Sequence, residues 1–76
     1  MSKIRVLLAD DQALLVAALS TILNAQEDIE VVTTAHTGNE AVTAAISHRI
    51  DVAILDIRMP GMDGIAAAQA ILSRVP

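Results

Sequence analysis

The sequence predicts an α/β protein: a parallel sheet with helices on both of its faces. Short β-branched and leucine-rich runs alternate with stretches of helical periodicity along the whole chain, giving the order βαβαβα. The third apolar run, "VAIL", shows no polar alternation, the pattern of a strand whose two faces both avoid water. Carboxylates directly follow the first and third runs, at the ends of the strands where an open parallel sheet gathers its ligands.

The first strand, β1, is expected over 4–9 ("IRVLLA"), stopped by Asp10-Asp11. Residues 12–24 form helix α1, with Leu15, Val16, Leu19, Ile22 and Leu23 at helical spacing as its buried face and Asn24 as its stop. Strand β2 follows over 29–35 ("IEVVTTA"). Thr37 and Glu40 make a capping-box pattern that opens helix α2 over 38–48, with Ala41, Val42, Ala45 and Ile46 facing inward. Strand β3 covers 52–56 and ends in Asp56, and an alanine-rich helix α3 runs over 64–74. In the loop between them Pro60-Gly61 suits the central positions of a type II turn, and Asp63 stands where it can cap α3.

A chain of 76 residues makes one small domain with a modest core. With no Phe, Tyr or Trp, that core is built from Ala, Val, Ile, Leu and Met and is aliphatic and thin. A net charge of -4 with five scattered cations gives no basic footprint, which excludes nucleic-acid binding by this segment. The longest apolar tract, Ala13 to Leu23, is about half as long as a bilayer core is thick, so no membrane span is expected. The amino terminus lacks the h-region of a secretory signal, and the expected location is the cytoplasm. Without cysteine there is no disulfide framework and no thiolate metal site.

If β1 and β3 are neighbours, Asp10, Asp11 and Asp56 converge. Three close anions resist ionising together unless a cation sits among them, and oxygen donors of this kind suit Mg2+. A carboxylate beside such an ion can also act as a nucleophile toward a phosphoryl group. Capping alone explains Asp11 or Asp63 singly, but not a three-way convergence. His36 and His48 lack metal-ligand spacing and read as surface residues, and "GMDG" is not a phosphate-cradling glycine loop.

These residues resemble the receiver domain of two-component response regulators. "IRVLLADDQALL" and "DIRMPGMDGI" are similar to the NarL/FixJ branch, whose members carry a LuxR-type DNA-binding output. The resemblance implies a flavodoxin-like, doubly wound sheet of parent order 2-1-3-4-5, truncated here to the first three βα units. It implies Asp56 as phosphoacceptor, and Mg2+ held by Asp10, Asp11, Asp56 and the backbone carbonyl of Arg58, with Pro60 and Gly61 shaping the loop. A sensor histidine kinase is the implied partner.

The family also uses a Ser or Thr and a Lys from two further βα units to hold the phosphoryl oxygens, and neither is found in residues 1–76. The only lysine, Lys3, precedes β1 and stands about 20 Å from Asp10. Residues 1–76 are therefore expected to be a partial receiver, or to pair the bare edge of β3 with another chain by self-association or domain swapping. Two rival functions follow. One is a truncated or degenerate interaction module that is not efficiently phosphorylated. The other is an aspartate-nucleophile phosphatase, which is disfavoured because that class places a second aspartate where Arg58 stands.

Overall fold

The computed structural model describes residues 2–74. Its elements are β1 (Ile4–Ala9), α1 (Ala13–Asn24), β2 (Ile29–Ala35), α2 (Gly38–Ser47), β3 (Val52–Leu55) and α3 (Gly64–Arg74). Three boundaries differ from the expected ones by a residue: Gln12 is the N-cap of α1, His48 the C-cap of α2, and Asp56 lies just beyond β3. The strands form one parallel sheet in the order β2-β1-β3. β1 is therefore central, and the winding reverses between β1 and β3.

Side chains of β1 alternate between the faces, and both faces are covered. Leu7 and Ala9 join Ala35, Ala41, Ala44, Ala45 and Met59 in a core under α2 and α3, which pack against each other. Val6 and Leu8 point to the opposite face and are buried there, where α1 lies against β1 and β2 and contributes Val16. Leu7 and Leu8 are the largest fully buried side chains, so the aliphatic core is centred on a single strand.

Expectations for three elements need correction. Val52 and Ile54 are 46% and 42% exposed, so the unbroken apolar run of β3 does not mark a strand hidden on both faces. In register these residues sit beside Val6 and Leu8, but α1 covers β1 and β2 and stops short of β3. Along α1 only Val16 is buried; Leu19 and Leu23 are half-covered, while Leu15 and Ile22 are exposed, because one helix on a narrow face shields only a thin stripe. In α2, Ala44 takes the buried place expected for Ile46, which is 51% exposed and lines an open groove with Ile50, Ala53, Ile71 and Leu72.

Local hydrogen bonds set the ends of the elements. Asn24 Oδ1 accepts from Val31 N at 2.8 Å, tying the end of α1 to β2. At the amino end of the sheet, Asp51 Oδ2 accepts from Arg5 N and Asp51 N donates to the Arg5 carbonyl, both at 2.8 Å, which aligns β3 with β1. β2 carries one extra residue, Val32, where its register with β1 shifts between Val6 and Leu7. Among the described residues no helix is long and apolar enough to cross a membrane.

The central position of β1 sets an expected outcome. Leu7→Ala lowers the unfolding free energy by about 2–5 kcal/mol in urea denaturation, whereas Leu14→Ala, at a side chain 85% exposed, changes it by less than about 0.5 kcal/mol. Equal effects of the two substitutions would contradict this placement of the core.

Candidate functional site

Asp10 and Asp56 are set side by side by the ladder between β1 and β3. Ala9 pairs with Leu55, so each aspartate is the next residue of its own strand. The hydrogen bonding continues one step past the strands: Asp56 N donates to the Ala9 carbonyl at 2.9 Å, and Asp10 N to the Ala35 carbonyl at 3.1 Å. Asp11 follows in the turn into α1. One carboxylate oxygen from each of Asp10, Asp11 and Asp56 lies within 4.8 Å of the others. Asp10 and Asp56 are half-buried and Asp11 is exposed, which leaves an open side toward solvent.

This donor set fits a hard divalent cation. Ligands around an octahedral Mg2+ at about 2.1 Å stand about 3 Å apart when adjacent and about 4.2 Å apart when opposite, so three oxygens this close can share one ion. All three donors are carboxylate oxygens, and the open side leaves room for the waters that Mg2+ retains.

The rim also concentrates the charge of the whole chain. Asp10, Asp11, Glu40, Asp56 and Asp63 gather around the carboxyl ends of the strands, where Arg58 is the only cation among the described residues. At the opposite end Lys3, Arg5, Arg49 and Arg74 are matched by Glu27, Asp28, Glu30 and Asp51, with Arg5 and Glu30 paired at 3.9 Å. The formal charge of -4 thus resides at the rim, which draws cations toward the three aspartates.

The loop after Asp56 is held by backbone contacts. Gly61 has a φ of +76°, the left-handed value that a type II turn asks of its third residue. Asp63 Oδ1 accepts from Ala66 N at 2.8 Å and caps α3. Gly64 lies against the main chain of Asp56 so closely that a Cβ would overlap the Asp56 carbonyl, and a Cβ on Gly38 would overlap the carbonyl of Met62. Met59 is buried in the core, while Arg58 and Pro60 are exposed. The capping box of α2 is shifted by one residue: Glu40 N donates to Thr37 Oγ1 at 3.1 Å, but Glu40 Oε1 accepts from His36 N at 2.9 Å.

The sequence pattern brought the three aspartates together and placed His36 on the surface, where it lies, but gave no sign of its contact with Asp10 or of those made by Gly38 and Gly64. The glycine spacing carried no signal for the last two, because the contacts they make are tertiary.

A family model described as the response regulator receiver domain matches residues 6–76. The chain belongs to this family. The receiver is 53% identical over 74 residues to a protein-glutamate methylesterase/protein-glutamine glutaminase of Caldanaerobacter subterraneus, covering 97% of this chain and 20% of that protein. It is 41% identical over 68 residues to the transcriptional regulatory protein DesR of Bacillus subtilis, covering 90% of this chain and 34% of the relative. Among solved structures, the response regulator domain of Thermotoga maritima CheB superposes with a TM-score of 0.94 at 42% identity, over 97% of this chain and 55% of that one. The chain therefore spans a fifth to a third of these curated relatives and about half of a solved receiver. The matched part is a signalling module and not an enzyme, and the esterase named in the first relative belongs to a protein of which this receiver matches one fifth.

The glycine contacts lead to a test. Gly61→Ala is expected to cost about 1–2 kcal/mol through its left-handed backbone alone, since only the Asn39 side chain stands near. Gly64→Ala costs more, because the Asp56 backbone has to move. Urea denaturation of both variants checks the order, and a neutral Gly64→Ala contradicts the close approach.

Proposed function

We propose that this receiver accepts a phosphoryl group on Asp56 from a sensor histidine kinase in a Mg2+-dependent transfer, and that the regulator carrying it acts in the cytoplasm on transcription. The convergence of Asp10, Asp11 and Asp56 in a chain of the receiver family is the observation that carries the reading. The identity with a transcriptional regulatory protein supports the last part.

In the transfer, a carboxylate oxygen of Asp56 attacks the phosphorus of a phosphohistidine; the new O–P bond forms as the N–P bond breaks, and the imidazole leaves. Bound Mg2+ would neutralise charge between the phosphoryl oxygens and the carboxylates. Asp10 and Asp11 would hold the ion together with Asp56 and, as the family motif assigns it, the carbonyl of Arg58. Pro60 and Gly61 shape the loop that presents this carbonyl. The tie between Gly64 and the Asp56 backbone keeps the nucleophile from shifting as the phosphoryl group arrives.

A second reading has its own support. Residues 1–76 contain a single lysine, Lys3, which precedes β1 at the amino end of the sheet, and the described residues place no cation except Arg58 at the rim. Without fixed donors for the phosphoryl oxygens, transfer to the isolated 76-residue species loses stabilisation of the kind that one such donor commonly provides, about 3–4 kcal/mol. This species then serves as an interaction module. The exposed edge of β3, with Val52 and Ile54 beside it, favours self-association or domain swapping.

Acetyl phosphate with Mg2+ separates the readings by intact mass. A chain extended through two further βα units gains a base-labile phosphoryl increment that is lost in Asp56→Asn, while the 76-residue chain gains little or none. Undiminished labelling of Asp56→Asn would falsify the assignment of the acceptor.

A further inference from the structure

We propose that His36 is a positioning residue for the acidic pair, pinning the peptide that joins Asp10 to Asp11 onto the amino end of α2. The inference rests on reading Asp10, Asp11 and Asp56 as an ion site. Two consecutive residues, Ala35 at the end of β2 and His36 just after it, hold the main chain of Asp10 from both sides. Its N–H donates to the Ala35 carbonyl at 3.1 Å, and its carbonyl faces His36 Nδ1 at 3.2 Å. A carbonyl can only accept, so Nδ1 carries the hydrogen and donates it.

His36 is itself anchored through its N–H to Glu40 Oε1 at 2.9 Å, and Glu40 N donates to Thr37 Oγ1 at 3.1 Å. The imidazole thus extends the cap of α2 across to the turn after β1. That contact matters most for Asp11. The Asp10 carbonyl belongs to the peptide plane leading into Asp11, and rotation of this plane swings the Asp11 side chain. Asp10 has a further tie, since its Oδ1 accepts from Gln12 N at 2.9 Å. Exposed Asp11 has no such hydrogen bond among the described residues, so its carboxylate depends on the orientation of the peptide before it.

Replacement by asparagine isolates the donor, because the Nδ2 of Asn stands at the same distance along the side chain as the Nδ1 of His. The test is a Mg2+ titration of the full chain, of His36→Ala and of His36→Asn at one common pH, followed by the amide NMR shifts of Asp10, Asp11 and Asp56. His36→Ala is expected to weaken Mg2+ binding about two- to tenfold, the range of a single net hydrogen bond, with the largest loss of response at Asp11. His36→Asn is expected to recover most of the affinity. A wild-type affinity in His36→Ala overturns the inference, and so does an equal loss in Ala and Asn, which would show that side-chain bulk matters and the donor does not. If the unsubstituted chain gives no Mg2+ response, the ion site falls and the inference falls with it.

Discussion

The parallel register of β1 with its two neighbours is the constraint on which the rest depends. Because Ala9 faces Leu55 on one side and Ala35 on the other, the residues that leave the two edges of β1 emerge level with one another. Adjacent strands lie about 4.8 Å apart, so two carboxylates that follow paired residues have no room to separate. The bonds from Asp56 N to Ala9 and from Asp10 N to Ala35 carry the ladder one residue further and fix both aspartates at the backbone. A one-residue slip of β3 would turn Leu55 out of the core and move Asp56 away from Asp10.

This arrangement sets folding against function. A small aliphatic core centred on Leu7 and Leu8 has little stability to spare, yet the fold draws five carboxylates and a single arginine to one rim. Glu40 and Asp63 cap helices, while Asp10, Asp11 and Asp56 lie together. The backbone around them is held by the packing of Gly64 on Asp56 and of Gly38 on Met62, and by the cap of α2 that Thr37 and Glu40 make. A frame held in this way under three adjacent carboxylates would let a cation or a phosphoryl group change the electrostatics without rebuilding the core.

Much of this was legible in the sequence. The alternation of apolar runs and helical spacing gave the order of the elements, and carboxylates placed directly after two of the strands gave the site. The cover over each strand was not legible. Four apolar residues in a row read the same in a strand shielded on both faces and in β3, where Val52 and Ile54 lie open, because exposure depends on where α1 comes to rest. The burial of Ala44 in place of Ile46 depends on how α2 is turned against the sheet and α3, which helical spacing alone does not reveal. The contacts of Gly38 and Gly64 join segments distant in sequence. His36 reaches Asp10 only because β2 and β1 are paired, so nothing adjacent to it in the chain announces the bond.

Comparing the unfolding free energies of the chain and of Asp11→Asn, with and without Mg2+, tests most directly whether the crowded carboxylates are tolerated for the sake of an ion. Without the ion, removing one negative charge relieves repulsion, and Asp11→Asn should be the more stable by up to about 1 kcal/mol. With Mg2+ in excess, the unsubstituted chain should gain stability by mass action and close or reverse that gap. If Asp11→Asn is no more stable in metal-free buffer and both proteins ignore Mg2+, the three carboxylates do not form the site described here.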